Sequence, residues 1–204
     1  VYYYIPVYEY ADSDKDGIGD LRGIIENLDS LNDVNPNTNT DLGINGIVLS
    51  PIYHTKGKSK NEPLNYFEID PDYGNMVDLE ELISESNKRG MKLILEMELN
   101  HTSIDHEWFK QAVSTKDNSF RNYYNLRDLD FKQSEEPRLV NEDSLWHRTE
   151  DLQYFSYNGS VLADLNYENK ELRSDIEDVA AFYLEKGVNG FKLNNINNIY
   201  TYYE

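Results

Sequence analysis

The sequence predicts an α/β fold in which parallel strands are joined by right-handed crossover helices. Three observations carry that reading. Short β-branched or apolar runs alternate with segments of helical periodicity. A unit of helix, glycine-containing turn and strand recurs three times. One long polar and aromatic stretch, from Asn100 to about Ala163, interrupts the alternation and has little periodicity of its own.

The elements follow in order. Val1–Val7 (VYYYIPV) is β-branched and aromatic and reads as a strand. From Asp20, an expected N-cap, Leu21, Ile24, Ile25, Leu28 and Leu31 fall on one helical face. Gly46–Ser50 (GIVLS) has the character of a buried strand. A second helix is expected over Val77–Arg89, with Leu79, Leu82 and Ile83 as its stripe and Gly90 as its stop. Met91–Leu99 (MKLILEMEL) reads as the third strand. The third helix covers Lys170–Lys186, with Leu172, Ile176, Val179, Ala180 and Tyr183 on one face, and Gly190–Leu193 is the next strand. The stretch between Asn100 and Ala163 is too long for a structureless loop in a compact domain, so a small inserted subdomain is expected there. The division is therefore 1–99 for strands one to three and two helices, 100–163 for the insert, and 164–204 for the third helix and fourth strand.

Composition sets outer bounds. The chain has 204 residues with 19 Lys and Arg against 38 Asp and Glu, a formal net charge of −19. That sign argues against a nucleic-acid backbone or an anionic membrane surface as partner. Cysteine is absent, which excludes disulfides, thiolate metal sites and a cysteine nucleophile. No apolar run is long enough for a transmembrane helix. Tyrosine occurs 17 times, and most such residues are expected in core or interface positions. Trp108 and Trp146 are the better candidates for stacking on a sugar. Asn158-Gly-Ser160 and Asn100-His-Thr102 match the glycosylation sequon, a match too short to carry an assignment.

Chemistry is most concentrated in Asp12-Ser-Asp-Lys-Asp-Gly-Ile-Gly-Asp20. Carboxylates at alternate positions in a glycine-assisted loop can converge on one calcium ion. The loop is not an EF-hand, because the position of the bidentate Glu is Gly23. Asp12, Asp14, Asp16 and Asp20 would supply carboxylates and Ile18 its carbonyl; the alternative is a solvated acidic turn with a helix cap.

YADSDKDGIGDLRGIIENLDSL, TDLGINGIVLSPIY, IDPDYGNMVDLEELISESNKRGMKLIL, LNHTSIDHEWFKQA, ADLNYEN and FYLEKGVNGFKLN together resemble the α-amylase family, glycoside hydrolase family 13, in its bacterial α-amylase and oligo-1,6-glucosidase branch. The resemblance implies a (β/α)8 barrel with an inserted subdomain after strand three. It also implies calcium at the acidic loop and an α-glucan oligosaccharide as ligand. The family retains anomeric configuration, with an Asp nucleophile at the end of strand four and a Glu acid/base at the end of strand five.

Several positions depart from that pattern. The nucleophile motif G-F-R-x-D reads Gly190-Phe-Lys-Leu-Asn194, so the nucleophile position holds an amide. Lys192 replaces the Arg of the motif and removes its bidentate fork. Glu96 stands where D-x-x-x-N-H has its Asp, while Asn100 and His101 remain. The usual H-G-Y-D-V-x-D-Y segment is Ser59-Lys-Asn-Glu-Pro-Leu-Asn-Tyr66. The family's acid/base Glu would lie past Glu204. Lys192 and Asn194 share one face of their strand, as do Glu96, Glu98 and Asn100, so Lys192 is expected to pair with Glu96 or Glu98. His101 is either a retained sugar contact or a packed polar residue. Lys192 and Glu96 are the other candidate substrate contacts.

The expectation is a partial (β/α)8 barrel of about four strands with an inserted subdomain, belonging to a longer polypeptide or self-associating through its open edges. Its expected function is that of a catalytically inactive α-amylase homologue. The alternatives are an active α-glucan hydrolase completed by a missing half, or a non-enzymatic scaffold. The resemblance alone suggests an extracellular or cell-surface location.

Overall fold

The computed structural model describes residues 1–57, 60–130 and 145–199. Strand β1 (Tyr2–Ile5) stops at Pro6, which has no N–H for a ladder and caps a short unforeseen helix, α1 (Val7–Tyr10). The expected first helix is two pieces, α2 (Leu21–Glu26) and α3 (Leu28–Leu31), separated by Asn27. The Asn27 amide donates to the Gly23 carbonyl at 2.8 Å, a local bond that competes with helix continuation. The apolar stripe survives the break, with Leu21, Ile24, Leu28 and Leu31 buried.

Strand β2 (Gly46–Leu49) follows, then β3 (Tyr53–Lys56) and β4 (Glu62–Ile69), which pair with each other. Helix α4 (Met76–Lys88) opens with a capping box between Asn75 and Asp78. Strand β5 (Lys92–Glu98) leads to β6 (His101–Ser103) and α5 (Glu107–Ser114). Strands β7 (Leu126–Asp128), β8 (Trp146–Arg148), β9 (Leu152–Phe155) and β10 (Leu162–Asp164) come next. Helix α6 (Lys170–Glu185) and strand β11 (Gly190–Asn194) end the regular structure.

Two compact units contain these elements. The first comprises Val1–His54, Tyr66–Met97 and Asp178–Asn194. Its centre is a four-stranded parallel sheet in the order β1-β2-β5-β11, a partial barrel. Ile5, Ile47, Leu49, Leu93 and Leu95 form the sheet's share of the core, and Leu79, Leu82, Val179 and Tyr183 form the helices' share. Tyr183 is fully buried and its hydroxyl donates to the Tyr66 carbonyl at 2.7 Å. The outer strands leave side chains in solvent: Tyr2, Tyr3 and Tyr4 on β1 and Leu193 on β11.

The second unit comprises Thr55–Asn65, Glu98–Glu177 and Asn195–Glu204. It contains the antiparallel pair β6–β10 and the antiparallel sheet β7-β9-β8. Phe109 packs edge-on to Tyr124 and Tyr154 at centroid distances of 5.1 and 5.0 Å. Residues 164–177, expected with the third helix, belong here. The Tyr123 hydroxyl donates to Asp175 at 2.7 Å, and the Tyr167 hydroxyl donates to the Leu99 carbonyl at 2.5 Å. Among the described residues no helix is long and apolar enough to cross a membrane.

Candidate functional site

The acidic loop precedes α2 because glycine permits close backbone approaches. A Cβ on Gly19 would lie 2.1 Å from the Val7 carbonyl oxygen, and one on Gly23 would lie 2.2 Å from that of Ala11. The structure brings one carboxylate oxygen each from Asp12, Asp14 and Asp20 within 4.8 Å of one another. That spread suits a single cation with ligands at about 2.3–2.6 Å. Asp16 lies outside the trio and accepts from the Ile18 N–H at 2.7 Å. The helix-cap reading holds as well: Asp20 accepts from the Gly23 N–H at 2.6 Å and from Ser13 through both N–H and hydroxyl at 2.9 Å. Backbone N–H groups, Gly17 first, hold the Asp12 carboxyl below its usual range.

In the first unit, Glu96 near the end of β5 is 6 % exposed and is the hub of a polar cluster. Lys192 on β11 donates from Nζ to Oε2 at 2.7 Å. Asn194, two residues on and on the same strand face, donates its amide to Oε1. The Tyr4 hydroxyl also engages Glu96, and burial followed by this contact pushes it up to about 12. The Lys192 ammonium lies 4.9 Å from the Tyr4 ring centroid. Both carboxylate oxygens of Glu96 are thus committed to donors. Asn194 acts as a hydrogen-bond donor at the very position where the resemblance places a nucleophilic carboxylate.

The second unit holds another cluster. Glu98, 5 % exposed, accepts from the Asn195 amide through both oxygens at 2.9 and 3.0 Å. Asn195 adopts a left-handed conformation at φ 52, tolerated by Asn better than by most residues. His101 is 2 % exposed; its Nε2 lies 3.0 Å from the Asn61 carbonyl oxygen and its Nδ1 lies 3.3 Å from the Asn158 amide nitrogen. The carbonyl demands a proton on Nε2, which leaves Nδ1 as acceptor in a neutral ring. Burial lowers the His101 pKa, opposed by the Asn61 contact and the charges of Glu98 and Glu62. Asp164 stands opposite His101 in the β6–β10 register. Burial pushes its carboxyl up to about 7, although the Tyr157 N–H donates to it at 3.3 Å.

Other expectations meet their structural neighbourhood here. Trp108 packs edge-on to Tyr123 at 5.5 Å, and Trp146 sits between Phe155 and the Arg127 guanidinium, so both rings have protein neighbours. The sequon at Asn100-His-Thr102 is buried throughout. Ser59 lies outside the described residues, while Tyr66 of the same segment is core. Sequence reasoning missed Tyr4, Asn195 and Asp164 as members of the two clusters. Period-two alternation from Lys192 and Asn194 stops at the strand end, and the left-handed turn at Asn195 returns its side chain to Glu98.

The family profile described as alpha amylase, catalytic domain, matches residues 5–204. An oligo-1,6-glucosidase of Bacillus cereus is 37 % identical over 205 residues, covering 98 % of this chain and 35 % of the relative. Alpha-amylase 3 of Dictyoglomus thermophilum is 32 % identical over 200 residues, covering 98 % of this chain and 37 % of the relative. The crystal structure of an alpha-amylase from H. orenii superposes with a TM-score of 0.89 at 39 % identity, over 98 % of this chain and 41 % of that one. The chain thus spans little more than a third of the length of these curated relatives.

Proposed function

The chain belongs to the α-amylase family of glycoside hydrolases, and we propose that it is a catalytically silent member that keeps an α-glucan-binding surface and a calcium loop. The observation that carries this is Asn194, whose amide donates to Glu96 in place of a free carboxylate. An amide neither attacks an anomeric carbon effectively nor stabilises an oxocarbenium-like centre by charge. The carboxylate beside it, Glu96, is paired with Lys192 and accepts from the Asn194 amide and the Tyr4 hydroxyl. Lys192 has its side chain 48 % exposed and is the candidate glucan contact best placed to meet a ligand. His101 has both ring nitrogens engaged within the protein, which favours the packed reading over a sugar contact.

The oxygen spread of Asp12, Asp14 and Asp20 fits calcium, with Asp16 and the Ile18 carbonyl as the further candidate ligands. Calcium there would cross-link the acidic loop to the start of α2 and neutralise its charge. Residues 100–163 are read as the family's inserted subdomain.

The test measures reducing-sugar release from maltooligosaccharides and glucan binding by calorimetry, for the wild type and for Asn194→Asp. The expected result is glucan binding without hydrolysis in either protein. Hydrolysis by the wild type overturns the silent reading, and rescue by Asn194→Asp alone shows that position 194 is the sole defect. Absence of glucan binding favours the scaffold reading.

A further inference from the structure

We propose that the exposed Asn158-Gly159 turn of the second unit is a site of spontaneous deamidation, and that the carboxylate formed at position 158 turns His101 from a neutral ring into one half of an ion pair.

The chemistry needs only water. The Gly159 backbone nitrogen attacks Cγ of Asn158. The new N–Cγ bond forms, the attacking nitrogen loses its proton, and the Cγ–Nδ2 bond breaks, so that ammonia departs with that proton. The resulting succinimide adds water at either carbonyl to give aspartate or isoaspartate. No oxidation or reduction occurs, and asparagine is thermolabile for this reason.

Three Asn-Gly pairs occur in the chain, and their settings differ. Gly46 lies in β2, and its Cα face is closed by the Tyr2 ring at 2.6 Å from where a Cβ would sit. Asn189 is pinned twice to Leu93: its N–H donates to the Leu93 carbonyl at 2.8 Å and its Oδ1 accepts from the Leu93 N–H at 2.9 Å. Asn158-Gly159 lies outside every strand and helix, and Asn158 is exposed. Gly159 has φ +103 with open space where a Cβ would be, so nothing obstructs the five-membered ring. Its carbonyl is fixed by the Ser156 hydroxyl at 2.8 Å and the Leu162 N–H at 3.1 Å. These bonds anchor the peptide after Gly159 and leave the Asn158-Gly159 peptide to rotate.

The consequence follows from hydrogen-bond polarity. Asn158 Nδ2 now donates to Nδ1 of His101 at 3.3 Å. A carboxylate at 158 has no proton to give, so two acceptors would face each other. The imidazole resolves this by taking up a proton and donating from Nδ1, while Nε2–H keeps its bond to the Asn61 carbonyl. The other groups that bear on this ring are Glu98 and Glu62, whose charges favour the cation, and Asp164 across the β6–β10 pair. Burial opposes the change, and a directly opposed carboxylate outweighs it.

The test incubates the purified chain in mildly alkaline buffer and maps peptides by mass spectrometry. The expected result is a gain of one mass unit, as aspartate and isoaspartate, at Asn158 ahead of Asn45 and Asn189, and no gain at position 158 in Asn158→Gln. In parallel, NMR titration of Asn158→Asp is expected to move the His101 midpoint upward by about one pH unit or more relative to the wild type. An unchanged mass at Asn158, or earlier modification at Asn45 or Asn189, overturns the assignment of the site. An unmoved His101 midpoint overturns its proposed consequence.

Discussion

Removing the Lys192 ammonium tests whether the Glu96 cluster supports the fold. The Glu96 side chain is 8 % exposed and that of Lys192 is 48 % exposed, with 2.7 Å between Nζ and Oε2. Truncating one partner of a fully buried pair costs about 3–5 kcal/mol, while an exposed pair contributes about 0–1 kcal/mol. This pair lies between those limits. Water can replace the ammonium on its open side, and Asn194 and Tyr4 still donate to the carboxylate. The expected loss for Lys192→Met is therefore about 1–2 kcal/mol at neutral pH, in the range of one charge-assisted hydrogen bond. Methionine keeps the aliphatic stem near the Tyr4 ring, so the change reads charge rather than packing. Urea midpoints for Lys192→Met, Glu96→Gln and the double variant close a cycle, with an expected coupling of about 1 kcal/mol. A Lys192→Met midpoint equal to the wild type, or a coupling of zero, refutes the pairing as a source of stability.

Three further expectations are more compact. Asp164 has a folded-state pKa of about 7 against an ordinary 3.8; the native state holds the proton longer than the unfolded chain, so its contribution is complete below about pH 4 and is lost as pH rises through about 7. Asp164→Asn is expected to flatten that slope and raise the melting temperature at pH 8, and a steeper slope in the variant would contradict the sign. Calcium is expected to raise the melting temperature of the wild type but not of Asp12→Ala/Asp14→Ala, by about 2.7 kcal/mol of added stability at a hundredfold excess over Kd; equal responses in both proteins remove the loop as the site. Asn194→Asp places a second carboxylate beside Glu96 and is expected to lower stability at neutral pH, with the loss shrinking on acidification because like charges raise a carboxyl pKa; chemical denaturation at two pH values checks it.

The parts of the fold legible in the sequence are those set by local physics. The stripe of α4 and the strand that precedes Leu99 each follow from side chains a few residues apart. Two boundaries failed for equally local reasons that periodicity does not register: Pro6 ended β1, and Asn27 split the first helix through its bond to Gly23. The second unit was opaque to periodicity. Its strands run three or four residues and pair antiparallel across aromatic contacts, too short for alternation to show. In the acidic loop, spacing singled out four carboxylates, of which Asp12, Asp14 and Asp20 converge while Asp16 turns to its own backbone, a choice set by loop dihedrals rather than by residue type.

Glu96 and Glu98 pose one problem on one strand, and the chain solves it in two ways. A buried carboxylate is costly unless its charge is paired or its oxygens are bonded. Glu96 receives a cation from Lys192 and neutral donors from Asn194 and Tyr4. Glu98 accepts the paired bonds from the Asn195 amide through both of its oxygens. The donor at 194 is useful to Glu96 only because it is an amide; a carboxylate there would add a like charge to the one already buried. Positions 96, 192 and 194 are therefore coupled. A change at any one of Glu96, Lys192 and Asn194 alters the setting of the other two, since each side chain in the trio is suited to its partners.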